Sequence, residues 1–210
     1  PQMNVYGTSL PGLVARYVDP HVTSHLGIQI RHGSIVVTGT NGKTTTSGLV
    51  TNVLRQAGLR VWRNREGSNL ARGIATSLMT HAALSGRLHE QGDAAGVFEV
   101  DEAAFPQVVA ELRPRTILVT NLFRDQLDRY GEVDTVAERW RDALARLPGT
   151  TTLLLNADDP AVAALADARP VGSPVLYFGI EDAPTSEDDA RRVHVVDTRT
   201  CPRCRQLLTF

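Results

Sequence analysis

The densest chemical signal in this chain is a run of eight residues, Gly39-Thr40-Asn41-Gly42-Lys43-Thr44-Thr45-Thr46. A glycine-rich turn that opens a helix aims backbone N–H groups and the positive end of the helix dipole at one anion. In such a turn Lys43 reaches the β- and γ-phosphate oxygens of a nucleoside triphosphate, and the Thr44 hydroxyl ligates Mg²⁺. The general phosphate-loop pattern asks for glycine at position 37, where this chain has Val37, so the loop is a compressed variant. An accidental Lys-Thr beside a glycine turn is the competing explanation. The apolar run Ile35-Val36-Val37 before the loop and the helical pattern after it favour the functional one, because strand, turn and helix come in the required order.

A second site element is Ala95-Gly96-Val97-Phe98-Glu99-Val100-Asp101-Glu102, an apolar strand that ends in carboxylates. Phosphate-loop enzymes use an acid at a strand end to hold the other side of Mg²⁺. On an extended strand Glu99 and Asp101 point one way and Val100 the other. Alternatively, Asp101 and Glu102 serve the first turn of the following helix. The two readings are compatible if Glu99 takes the metal and Glu102 the helix. Polar stretches follow three other strands: Asn64-Arg65-Glu66-Gly67-Ser68-Asn69, Asn121-Leu122-Phe123-Arg124-Asp125-Gln126-Leu127-Asp128-Arg129-Tyr130-Gly131, and Asn156-Ala157-Asp158-Asp159-Pro160. In a parallel sheet such loops gather beside the nucleotide at the strands' carboxyl ends.

The elements that must place these residues alternate along the chain. After the loop, apolar residues at 49, 50, 53, 54 and 57 recur with helical period and Gly58 follows as a stop. A strand from Leu59 to Trp62 precedes a helix with Leu70, Ile74 and Leu78 on one face. The next helix carries Phe105, Val108, Val109 and Leu112, and the strand Thr116 to Thr120 follows it. A further helix has the stripe Val133, Val136, Ala137, Trp140, Leu144 and Leu147, with Thr135 and Glu138 spaced as a capping box. Then come the strand Thr151 to Leu155, a helix Ala161 to Ala168 opened by Pro160, and the strand Val175 to Phe178. This alternation predicts an α/β fold of phosphate-loop type, a doubly wound and mostly parallel sheet flanked by helices, with right-handed crossovers.

With 42% hydrophobic residues among 210 and a net charge of −1, the chain fits one globular domain over 34–192 preceded by a lead segment, 1–33. Its 22 basic and 23 acidic residues are interspersed, which excludes the sustained basic face of a nucleic-acid binder. No apolar run spans a bilayer and no secretory signal opens the chain, so the expected location is the cytoplasm. His21 and His25 stand four apart, a metal-ligand spacing, but no zincin pattern surrounds them and a helix starting after Pro20 explains them equally. The two cysteines, Cys201 and Cys204, make no disulfide framework.

In this order, the loop 39–46, Glu99, Asp125-Gln126-Leu127-Asp128-Arg129-Tyr130-Gly131 and Asn156-Ala157-Asp158-Asp159 resemble the ATP-binding central domain of the Mur ligases. The resemblance runs from Ser34 to about Ile180. Within the family it points to the branch that amidates lipid II, on Asn64 to Asn69, Glu99-Val100-Asp101-Glu102-Ala103 and Asn121 to Asp128. Cys201-Pro202-Arg203-Cys204 is similar to the first half of the four-cysteine zinc ribbon found in that branch, here within residues 193–210.

The resemblance implies a chemistry: a substrate carboxylate attacks the γ-phosphate of ATP, and an amine displaces phosphate from the resulting acyl phosphate. In this branch the carboxylate is the α-carboxyl of D-glutamate in the lipid II stem peptide, and ammonia comes from a GatD-like glutaminase partner at the inner membrane face. By the same carry-over, Lys43, Glu99 and Asp125 are catalytic. Gly39, Thr40, Asn41, Gly42, Lys43, Thr44, Thr45, Asn69, Asn121, Gln126, Asn156 and Asp159 bind ATP. Thr44 and Glu99 hold Mg²⁺, and Cys201 and Cys204 hold Zn²⁺, with His194 a further candidate or an ordinary surface residue. Most family members carry a metal-binding His where this chain has Gln126, a neutral amide that is a poorer metal ligand. The classical UDP-binding domain and the C-terminal ligase domain are expected to be absent from these residues. Alternatives are a folate-polyglutamate type of ligase, whose loop usually has glycine after the lysine, or a non-catalytic nucleotide sensor with a zinc-ribbon docking module. For the C-x-x-C, a redox role competes with zinc.

Overall fold

The computed structural model describes residues 10–64, 67–83, 85–89, 93–123, 132–180, 201 and 203–206. Short runs rich in Val, Ile and Leu, each bounded by polar or glycine-containing turns, build the strands β1 (Ser34–Thr38), β2 (Val61–Arg63), β3 (Ala95–Glu99), β4 (Thr116–Val119), β5 (Thr152–Asn156) and β6 (Val175–Phe178). Between them lie α3 (Lys43–Gln56), α4 (Ala71–Met79), α5 (Phe105–Leu112), α6 (Glu132–Ala145) and α7 (Pro160–Ala163), the last extended by a 3-10 turn over Ala164–Ala168. Two short helices, α1 (Leu10–Val18) and α2 (Val22–Gly27), precede the sheet.

All strands pair in parallel in the order β2-β3-β1-β4-β5-β6. Every carboxyl end therefore lies on one rim. The chain leaves β1 towards β2 on one side and later leaves β4 towards β5 on the other, which opens the crevice where such sheets bind ligands.

Alternate strand residues feed two cores. One face holds Val36, Phe98, Ile117, Val119, Leu153 and Leu155 against α2, α4, α5, α6 and the turn after α7, with Trp140, Phe98 and Phe105 fully buried. Among the described residues the other face buries Val37, Val61, Val97 and Leu118, with the partly buried Ile35 and Leu154 of the sheet and Val50 and Leu54 of α3 packed against them. The predicted stripes of α5 and, where described, α6 pack into the first core, Val136 only partly buried; on α4 Ile74 and Leu78 are buried but Leu70, which precedes the helix, is 38% exposed, and the Val133 side chain lies outside the described residues.

The predicted face of α3 holds for Val50 and Leu54 and needs correction for the rest. Leu49 and Val53 are 62% and 66% exposed, and the helix is buried through Ser47 and Thr51. Their hydroxyls bond back to the carbonyls of Thr44 and Ser47, so small polar residues let α3 approach the sheet without an unpaired group. The capping box also fails, because α6 begins at Glu132 and places Thr135 inside the helix. Strand β2 begins two residues later than the spacing suggests.

The lead segment is packed onto the same core, with Leu26 and Ile30 buried in it. Arg16 of α1 grips Glu111 of α5 through both carboxylate oxygens, at 2.5 and 2.8 Å. His21 precedes α2, and His25 lies within it with its Nδ1 2.8 Å from the Asp19 carboxylate.

Candidate functional site

Only four residues, Gly39 to Gly42, separate β1 from α3, and their path is held from β4. The Thr40 N–H donates to the Asn121 carbonyl at 3.0 Å, and the Asn41 N–H donates to Asn121 Oδ1 at 2.8 Å. The Asn121 Nδ2 and the Thr120 hydroxyl both donate to the Asn41 carbonyl. Gly39 has φ +133°, and a Cβ there would sit 2.2 Å from Thr120 Oγ1, so the close approach of loop and strand excludes any side chain. Gly42, at φ +81°, turns the chain into α3.

This bracing divides the loop's amides into two groups. Those of Thr40 and Asn41 serve the fold. The N–H groups of Gly42, Lys43, Thr44 and Thr45 head the helix, where no intrahelical acceptor exists, and among the described residues no protein acceptor meets them; the first bond of the helix runs from Thr46 N to Gly42 O. Such a set of free helix-end amides suits an anion. Lys43 beside them is 13% exposed and folds onto the loop, donating to Gly39 O at 2.5 Å and Thr40 O at 3.0 Å, with Glu102 Oε2 3.3 Å away.

The Thr44 hydroxyl donates to Glu99, with Oε1 at 3.0 Å and Oε2 at 2.9 Å. A hydroxyl and a carboxylate that touch, face solvent and come from the loop and the neighbouring strand are the oxygen set that suits Mg²⁺, a cation that keeps several of its waters. Glu99 is itself clamped. Asn64, buried at the end of β2, donates to Glu99 O at 2.8 Å and accepts from Glu99 N at 2.9 Å, while also holding Ser68 O. Asn69 lies nearby through its carbonyl, which accepts from Asp101 N. The role of Asn64 was not assigned from sequence; a polar residue directly at a strand's end was the only sign, since its partner is 35 positions away.

Glu102 is not the helix acid its position suggests. No acid lies in the first turn of α5, and the turn into that helix is made by Asp101, whose carbonyl accepts from Ala104 N and Phe105 N. Asn156 ends β5 and donates to Thr120 O at 2.9 Å, tying it to the same rim. Asp159 is 3% exposed; Oδ1 accepts from the N–H groups of Ala161 and Val162 to cap α7, and Oδ2 accepts from Leu122 N at 2.7 Å. Pro160 takes the first helical position, as expected. Asp125, Gln126, Asp128 and His194 lie outside the described residues.

Cys201 and Cys204 occupy a tight turn in which Cys201 N donates to Gln206 O and Arg205 N to Cys201 O, both at 2.8 Å. The N–H of Cys204, then that of Arg203, hold the Cys201 thiol below its ordinary value. Among the described residues no group of three or more His, Cys, Asp or Glu side chains is placed to hold a metal. A cleft of about 590 Å³ between α5 and α6, lined by Arg113, Arg139, Asp142 and Arg146, shares no residue with the loop. No helix among the described residues is long and apolar enough to cross a membrane.

Residues 37–201 match the family model described as the Mur ligase middle domain. The chain is 34% identical over 204 residues to the lipid II isoglutaminyl synthase (glutamine-hydrolyzing) subunit MurT of Staphylococcus aureus strain N315, covering 97% of this chain and 43% of that protein. The MurT subunit of Streptococcus pneumoniae strain R6 is 33% identical, at 97% and 42% coverage. The chain thus spans less than half the length of these curated relatives. Among solved structures, MurF ligase of Thermotoga maritima in complex with ADP superposes with a TM-score of 0.61 at 18% identity, over 79% of this chain and 37% of that one, which supports the fold.

Proposed function

The chain belongs to the Mur ligase family, and from that premise we propose that it is the ATP-holding part of a carbon–nitrogen ligase that amidates the D-glutamate α-carboxyl of the lipid II stem peptide. The observation that carries the reading is the meeting of Thr44 and Glu99 within 3.0 Å, beside Lys43 and four helix-end amides that lack an acceptor among the described residues. The similarity to MurT subunits favours lipid II over a folate-type substrate.

In the proposed reaction a carboxylate oxygen attacks the γ-phosphorus and the bond to the bridging oxygen breaks. ADP leaves with that electron pair. Ammonia then attacks the acyl carbon, phosphate departs, and the nitrogen loses a proton to give the amide. The amides of residues 42–45 and the Lys43 ammonium bind the phosphates and stabilise charge moving onto the bridging oxygen. Thr44 and Glu99 would hold Mg²⁺, which supplies charge neutralisation across the phosphates. Asn64 keeps Glu99 pointed at Thr44, and Asn121 keeps the loop open for the β-phosphate. Asn156 would meet the adenine, with Asn69, Asp125 and Gln126 around the transferred phosphoryl group.

Ammonia would come from a glutaminase subunit, and the site of action would be the cytoplasmic face of the membrane, where lipid II is presented. Cys201 and Cys204 would supply two of the four ligands of a zinc ribbon. Alone they would bind the metal loosely, and metal analysis finding one tightly held zinc per chain would contradict this. The central test is a calorimetric titration with ATP and Mg²⁺. Lys43→Ala is expected to weaken binding about tenfold or more, the worth of a charge-assisted hydrogen bond; equal affinities would remove the loop from the site.

A further inference from the structure

A lysine ammonium has three protons to donate. Here two go to carbonyls of the loop itself, Gly39 O and Thr40 O, and the third goes to Glu102 Oε2 at 3.3 Å. The pair is sheltered, with the Lys43 and Glu102 side chains 13% and 24% exposed. Nor is the acid's position a loose one. The Trp140 indole donates to the Glu102 carbonyl at 3.0 Å, which anchors that turn to the fully buried ring of α6. The two loop carbonyls stay beside Lys43 whatever occupies the amides, because Asn121 and Thr120 fix the loop independently of Lys43. The proton held by Glu102 is therefore the one a γ-phosphoryl oxygen would take.

We propose that Glu102 is an internal substitute for the γ-phosphoryl group, which keeps Lys43 oriented in the empty site and makes the site distinguish a nucleoside triphosphate from a diphosphate. The proposal rests on the loop being the nucleotide site. A triphosphate has to displace the Glu102 carboxylate from Lys43 and then lie beside it. A diphosphate offers Lys43 only its β-phosphoryl oxygens and lacks the group that would take the place of Glu102, so it leaves the Lys43–Glu102 pair in place. Once the γ-phosphoryl group has been transferred, Glu102 reclaims Lys43. Glu102 is a positioning and specificity residue, since it acts on the nucleotide through Lys43.

The test is titration of the full chain with a non-hydrolysable ATP analogue and with ADP, each with Mg²⁺, for the wild type, Glu102→Gln, Glu102→Asp and Lys43→Ala. Replacing a competing charged acceptor by a neutral one is expected to tighten triphosphate binding about tenfold and diphosphate binding less than about twofold. Glu102→Asp, which keeps the charge but holds it farther from Lys43, should give a ratio of the two affinities between those of the wild type and Glu102→Gln, a graded response that a merely structural role for the side chain would not produce. If Glu102→Gln does not fold, the Asp variant decides: a carboxylate held farther from Lys43 must still shift the ratio in favour of the triphosphate. An unchanged ratio, or weaker triphosphate binding, overturns the proposal. If Lys43→Ala binds both nucleotides like the wild type, the loop assignment itself falls; if Lys43→Ala loses binding while Glu102→Gln leaves the ratio unchanged, only the role of Glu102 falls.

Discussion

At the carboxyl ends of the strands the amides of residues 42–45 meet no acceptor among the described residues, whereas at the amino ends the carbonyls that close α6 are met by one buried side chain. Arg169, 8% exposed, donates to Leu144 O and Leu147 O through Nη1 and to Pro148 O and Thr151 O through Nη2. Burial pushes its guanidinium below the ordinary arginine value, yet the fork still spans four carbonyls around the start of β5. Both ends use helix termini, with opposite results. One terminus is met by a side chain and holds the fold together, and the other, on the proposed reading, is left open for the nucleotide.

The comparison can be broken by mutation. Arg169→Ala should have the largest effect, removing about 2–4 kcal/mol of unfolding free energy because buried carbonyls lose their donor; denaturant titration measures it, and nucleotide affinity should stay within about twofold. A parallel loss of affinity would show that the two ends are not separable. Gly39→Ala attacks the opposite end. The clash with Thr120 and the φ of +133° should cost about 1–3 kcal/mol in stability and most of the ATP binding, read by calorimetry.

Asp159→Ala sharpens the comparison, since this residue both caps α7 and holds Leu122. Stability should fall by about 1–2 kcal/mol, with a smaller drop in nucleotide affinity than for Gly39→Ala. The smallest effect is expected from acid. Burial raises the Glu111 pKa, but the hydrogen bonds and charge of Arg16, helped by Gln107 and Thr23, outweigh it and leave the carboxyl below its ordinary value. The unfolded chain therefore takes up this proton first. The pair's stabilisation is complete above the ordinary glutamate value of about 4.3 and is lost as pH falls through the lowered folded value. At a partly exposed site it amounts to no more than about 1 kcal/mol, so Arg16→Gln should flatten the acid limb of the stability curve only slightly.

Sequence reading reached the order of strands and helices from β1 onward, the loop, and the partnership of Thr44 with Glu99, because each rests on local period or on a short motif next to a strand; it did not foresee α1. It missed what depends on the sheet order. Asn64 meets Glu99 only because β2 lies beside β3, and Arg169 reaches α6 across a turn that no spacing announces. The stripe on α3 misled at Leu49 and Val53, though not at Val50 and Leu54, because apolar residues ordinarily mark the buried side, while here Ser47 and Thr51 are the helix's buried residues. Glu102 misled for a related reason: an acid just before a helix has a ready local explanation, and its actual partner is 59 positions away.

The carboxyl rim is stitched from loop to loop, Thr40 and Asn41 to Asn121, Thr120 to Asn156, Leu122 to Asp159. Loops joined in this way breathe together, so a ligand that stills one of them stills the others. Amide hydrogen exchange at Leu122 and Ala161, both of which donate to Asp159, should slow when nucleotide is added, carrying the event along the strand ends.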